Sequence, residues 1–121
     1  MSSNLYTAGE HDVRPWGDWT VLDAGPGYVV KRIRVAPGGI LSLQRHQHRA
    51  EQWTIVAGQA RVTLGVRQFT LGPGEAVAIP LGETHRIANP GSADVVFIEV
   101  QTGALLSETD IERLEDSYGR S

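Results

Sequence analysis

The sequence contains no cysteine, one methionine and one lysine, Lys31. Without cysteine there is neither a disulfide framework nor a thiolate metal site, so a bound metal must be held by histidine, carboxylate or amide groups. The same absence fits a reducing cytoplasm, where the protein is expected to reside. Residues 1–10 lack a basic segment followed by an apolar run, and no stretch approaches the roughly 20 apolar residues of a membrane span. Positive charge is scarce as well: the net charge is −3 and the arginines are scattered rather than clustered. Neither nucleic acid nor a membrane is therefore expected as a partner.

What is present is the balance of a soluble globular chain, with 40% apolar and 21% charged residues over 121 positions. That length supports one core, so residues 1–121 are read as a single domain, with residues 1–10 flexible. Short β-rich runs at 19–22, 28–35, 40–47, 52–57, 60–71, 76–79, 84–88 and 93–101 are separated by turn formers such as Pro37-Gly38-Gly39, Gly72-Pro73-Gly74 and Asn89-Pro90-Gly91. This spacing predicts an all-β sandwich or barrel. The pattern changes at Ser107, where a capping-box start, early acids and Ile111 and Leu114 three apart predict a helix over 107–117, closed near Gly119.

Strand alternation then assigns faces. In 28–35, Val29, Lys31, Ile33 and Val35 share one side, and its apolar character makes it the inward one. Lys31 either sits in a polar cavity with a partner or snorkels out at the rim. The same parity groups Gln44, His46 and His48. Glu99 shares parity with Val95, Phe97 and Gln101, but the opposite face, Val96, Ile98 and Val100, is equally apolar.

The polar residues recur at an ordered spacing. From Gly38 the chain runs through five residues to Gln44, one more to His46, four to Glu51 and six to Gly58. A second segment runs from Gly74 through Pro80-Leu81-Gly82 and His85 to Asn89. These are the two cupin motifs, with Gln44 where the first histidine usually stands. Residues i and i+2 on a strand project two ligands the same way, a third follows a bend, and a fourth comes from a facing strand. Gln44, His46, Glu51 and His85 are thus the candidate ligands of one divalent ion. Imidazole, carboxylate and amide oxygen suit Zn, Mn, Fe, Co or Ni. A register starting at His46-Gln47-His48 would use His48 instead, but it breaks the glycine spacing, which leaves His48 as a neighbouring group.

Further blocks accompany these motifs: Arg14-Pro15-Trp16-Gly17, Leu41-Ser42-Leu43-Gln44, His48-Arg49-Ala50-Glu51, Ile79-Pro80-Leu81-Gly82, Ile98-Glu99-Val100-Gln101-Thr102-Gly103 and Glu115-Asp116-Ser117-Tyr118-Gly119-Arg120. With them the chain resembles, over nearly its whole length, the C-terminal cupin domain of type II mannose-6-phosphate isomerases, a domain often fused behind a mannose-1-phosphate guanylyltransferase. The resemblance implies a cupin double-stranded β-helix, or jelly-roll barrel, and metal-dependent interconversion of mannose 6-phosphate and fructose 6-phosphate. With no nucleotidyltransferase domain in 121 residues, a stand-alone isomerase module is expected. The chain departs from the family at Gln47 and Gln52, where histidine is expected.

Aldose–ketose isomerisation needs a base, oxyanion stabilisation and a cation for the phosphate. His48 and Glu99 are the candidate bases. Lys31 is the first candidate for the phosphate or oxyanion, and Arg49 the second, unless it forms a surface ion pair with Glu51 or Glu75. Trp16 and Trp53 read as core or dimer contacts. Two other readings stand beside this one: a metal cupin with dioxygenase, decarboxylase or other sugar-isomerase chemistry, and a non-catalytic module binding a sugar phosphate or nucleotide sugar. Exposed edge strands in so small a barrel predict a homodimer.

Overall fold

In a computed structural model the described residues are 3–118, and they are all strand, turn and loop. In chain order the strands are β1 (Ser3–Asn4), β2 (His11–Arg14), β3 (Gly17–Gly25), β4 (Tyr28–Val35), β5 (Leu43–Arg45), β6 (Arg49–Ala57), β7 (Ala60–Leu64), β8 (Arg67–Leu71), β9 (Ala76–Ile79), β10 (His85–Ala88), β11 (Val95–Gly103), β12 (Leu105–Leu106) and β13 (Glu112–Glu115). They form a six-stranded sheet in the order β2-β3-β4-β11-β6-β9 and a five-stranded sheet in the order β13-β5-β10-β7-β8. A two-stranded parallel ribbon joins β1 to β12. This is the expected cupin barrel.

Alternation places the core between the sheets. Trp19 and Val21 of β3, Val29, Ile33 and Val35 of β4, Trp53 and Ile55 of β6 and Val95 and Phe97 of β11 are buried on the inner face of the larger sheet. They meet Val62, Leu64, Leu71 and Ile87 from the smaller one. Each such side chain contributes roughly 1.5–3 kcal/mol when fully buried. The predicted run 60–71 is in fact two strands, because Gly65, at φ 59°, turns the chain between β7 and β8.

One expectation is corrected. The predicted helix over 107–117 does not form: Ser107 starts a single turn, accepting the Thr109 N–H on its Oγ at 3.1 Å and the Asp110 N–H on its carbonyl at 3.2 Å. The chain then straightens into β13, which pairs antiparallel with β5 through Glu112↔Arg45 and Arg113↔Gln44. Helix-favouring local signals lose here to sheet pairing and to the bidentate Arg45–Glu112 ion pair, at 2.9 Å for both bonds. The helix end expected at Gly119 lies outside the described residues. Within the segment expected to be flexible, Ser3 and Asn4 pair with Leu105 and Leu106 and Tyr6 is buried in the core, while residues 1 and 2 lie outside the described residues.

Candidate metal centre

β5 stops at Arg45, His46 follows it, and the chain bends through Gln47 and His48 before β6 begins at Arg49. Along β6, Arg49, Glu51, Trp53 and Ile55 face inward while Gln52, Thr54 and Val56 face out. His85 opens β10 and lies opposite Gln44 of β5. The bend thus sets His46 against the inward row of β6, and register sets His85 beside both.

His46, Glu51 and His85 are buried, and each offers a ligand atom within 4.8 Å of the others. His46 Nε2 lies 3.1 Å from His85 Nε2 and 3.0 Å from Glu51 Oε2. The outer nitrogens fix the tautomers. His46 Nδ1 lies 2.6 Å from the Asp110 carbonyl and His85 Nδ1 lies 2.9 Å from the Glu83 carbonyl. Carbonyls only accept, so both Nδ1 atoms carry the proton. His46 Nε2 in turn accepts from Arg49 Nη2 at 3.3 Å. Lone pairs of two imidazoles and a carboxylate therefore converge on one buried point, which like-charged density disfavours and a borderline divalent cation relieves. The three groups fit such an ion.

The electrostatics agree. Burial alone would raise the Glu51 carboxyl, but the Arg49 guanidinium, bonded to Oε2 at 3.0 Å, holds it well below the usual range. Burial lowers His85 and keeps its ring neutral, as a metal ligand requires. Glu99 behaves oppositely: burial, then the charge of Glu51 beside it, raises its carboxyl. Its Oε1 accepts from Trp53 Nε1 at 3.1 Å and its Oε2 from Gln101 Nε2 at 2.8 Å.

A second polar cluster adjoins the first. Lys31 is buried, bonds Glu108 at 3.0 Å and the Tyr6 hydroxyl at 3.2 Å, and sits 4.3 Å and 4.2 Å from the ring centres of Tyr6 and Trp19. Tyr6 donates its hydroxyl proton to Glu108 and accepts from Arg49 at 3.4 Å. Burial and the Glu108 charge push the Tyr6 hydroxyl up, so it stays protonated. Burial opposes ionisation of Glu108, but Lys31 and Tyr6 outweigh it and bring the carboxyl down to about 2.

The structure therefore brings together Gln44, His46, Arg49, Glu51, His85, Glu99 and Lys31. Lys31 is buried and paired rather than snorkelling to the rim, and Glu99 points inward, which parity left open. Arg49 is ion-paired to Glu51, but in the interior rather than on the surface. His48 is not brought in: the strand ends before it, parity lapses, and the side chain is exposed in a separate groove beside Thr109 and Glu112. Gln47 and Gln52 are exposed too and absent from the cavity lining, so the two departures from the family pattern lie away from the buried cluster. Sequence reasoning missed Tyr6, Glu108 and Asp110, which act across 25 to 102 positions of chain. It also passed over Trp53, whose place between Glu51 and Glu99 was signalled only by shared parity with Glu51.

A family model described as mannose-6-phosphate isomerase C-terminal matches residues 2–116. The mannose-1-phosphate guanylyltransferase ManC of Salmonella typhimurium is 52% identical over 88% of this chain, which spans 22% of that relative. The alginate biosynthesis protein AlgA of Pseudomonas aeruginosa is 50% identical over 89% of the chain and 22% of its own length. The chain thus spans about a fifth of the curated relatives it matches. Among solved structures, the capsular polysaccharide assembling protein CapF of Staphylococcus aureus superposes with a TM-score of 0.78 at 24% identity, over 88% of this chain and 32% of that one. That likeness speaks for the fold.

Proposed function

This chain belongs to the mannose-6-phosphate isomerase C-terminal family, and from that premise we propose that it is a metal-dependent aldose–ketose isomerase acting on mannose 6-phosphate and fructose 6-phosphate. The observation that carries the reading is the buried His46–Glu51–His85 group beside a cavity that Glu51, His85 and a second inward carboxylate, Glu99, line. A divalent ion held by His46, Glu51, His85 and the Gln44 amide oxygen would supply Lewis-acid polarisation of the substrate carbonyl. Gln44 suits that role because its amide nitrogen is already donated to Ser42 Oγ at 2.9 Å, leaving the oxygen as the ligand end.

The chain's own residues supply the rest. Isomerisation removes a proton from one carbon and returns it to the neighbouring one. Glu99, oriented by Trp53 and Gln101, is the group placed to carry it. Arg14, Lys31, Arg49, Arg86 and Arg113 line the cavity together with Glu51, Glu99 and Glu108. Guanidinium and ammonium groups in a cavity wall suit an anionic sugar phosphate. Lys31 and Arg49 each hold a carboxylate, Glu108 and Glu51. Their part is to place positive potential at the wall. We also propose pairing with a second copy, since β2, β9, β13 and β8 end their sheets without a neighbour among the described residues.

The test is elemental analysis of the purified protein followed by a coupled assay with mannose 6-phosphate, with and without added Zn, Mn or Co. Near one metal per chain with turnover is expected, and Glu99→Gln should keep the metal and lose the turnover. Metal without turnover in the unaltered chain would overturn the isomerase in favour of other cupin chemistry. Binding of the sugar phosphate with neither metal nor turnover would make it a binding module.

A further inference from the structure

Asp110 reaches His46 by two routes. Its carbonyl takes the ring Nδ1–H at 2.6 Å, while its carboxylate oxygens take the main-chain N–H groups of Gln47 at 3.0 Å and His48 at 2.9 Å. One residue, 64 positions further along the chain, thus holds both the imidazole and the bend that carries it. The bend's other main-chain hold is the Gly82 N–H, which bonds the His46 carbonyl at 3.0 Å. The bend contains no glycine and no residue at positive φ, and it lies between the end of β5 and the start of β6. Asp110 itself is buried and anchored on both sides, by the turn from Ser107 and by β13 on β5. It is not one of the converging ligand groups, and both its carboxylate oxygens are occupied by N–H donors.

We propose that Asp110 is a positioning residue that sets the tautomer and aim of His46, making the 107–115 segment part of the metal centre although it contributes no ligand. The proposal rests on reading His46, Glu51 and His85 as that centre. Its physical basis is that an imidazole free to rotate or change tautomer offers its lone pair to the site only part of the time, and orienting partners of this kind typically govern metal affinity by about 10–100-fold. The carbonyl cannot be mutated away, but the carboxylate that keeps it in register can.

The experiment titrates Co(II) into the unaltered chain, Asp110→Ala and Asp110→Asn, and records the histidine nitrogen spectra of each metal-free protein near pH 8. In the unaltered chain His46 should show a single Nδ1–H tautomer. Asp110→Ala should bind Co(II) about 10–100-fold more weakly and show mixed tautomers at His46. Asp110→Asn keeps one acceptor and should fall between. A merely structural aspartate would lower the melting temperature and leave the His46 signature in place, and that result overturns the proposal. If the alanine variant does not fold, the asparagine variant decides: unchanged affinity and tautomer reject Asp110 as a positioning residue. If the unaltered chain takes up no Co(II), the metal centre itself is refuted, while the metal-free spectra still test Asp110.

Discussion

Glu51 and Glu99 share a single indole proton: Trp53 Nε1 lies 2.9 Å from an oxygen of the first and 3.1 Å from an oxygen of the second. Two buried carboxyls on adjacent strands would repel if both were charged, and the shared donor moderates that repulsion while fixing both orientations. Trp53→Phe keeps most of the packing against His85 and Phe97 and deletes only the donor. A stability loss of about 1–3 kcal/mol is expected from chemical denaturation. Metal affinity should fall in the same variant, because Glu51 loses a partner.

His46 and His48 separate two readings of the motif. His46→Ala should reduce bound metal from near one per chain to near zero by elemental analysis. His48→Ala, at an exposed position, should leave metal content unchanged and stability within about 0.5 kcal/mol. Loss of metal at position 48 with retention at 46 would reverse the ligand assignment.

The fold was legible where one rule governed many residues, and the site where two spacings agreed. Alternation along 28–35 matched β4 residue for residue because both its edges are paired with neighbouring strands over the full run. Spacing found His46, Glu51 and His85 because they hang on that regular frame. His48 was misplaced because alternation was carried past Arg45, where a carboxylate from a remote turn ends the strand. The segment after Ser107 was misread because its local signals describe one turn correctly and say nothing of β5, which claims the next residues. Tyr6 and Glu108 gave no pattern at all, since a single pair joining positions 102 apart leaves no periodicity.

The Lys31–Glu108 pair predicts a pH dependence. The folded Glu108 carboxyl sits at about 2 against an ordinary 4.5. A lowered carboxyl stabilises the fold above its unfolded value, and the contribution disappears as pH falls from about 4.5 towards 2. Glu108→Gln should be less stable than the unaltered chain at pH 7, by about 1–3 kcal/mol. Melting curves of the two proteins should converge over that acidic window; a gap independent of pH would mean the carboxylate charge is not what stabilises.

Gly103 closes the approach between β11 and the start of β6. A Cβ there would fall 2.0 Å from the His48 carbonyl oxygen and 2.9 Å from Arg49 Cα, both main-chain atoms that cannot swing aside. Gly103→Ala is expected to cost about 1–3 kcal/mol in thermal or denaturant unfolding, as overpacking does. Gly91→Ala, whose Cβ would meet only the Asn89 side chain at 3.4 Å, is the matched control and should stay within about 0.5 kcal/mol.

The ligands and the group that aims them are far apart in the order of synthesis. His46, Glu51 and His85 all precede Asp110, and the ribbon that joins Ser3 to Leu105 cannot close until the chain has reached Leu105. A growing chain therefore holds the His46, Glu51 and His85 side chains well before it holds the carbonyl that bonds the His46 ring, and contacts of such separation are slow to form. An ion captured early by the nascent chain would meet ill-oriented imidazoles and exchange readily, so the proposed metal loading would belong to the finished fold.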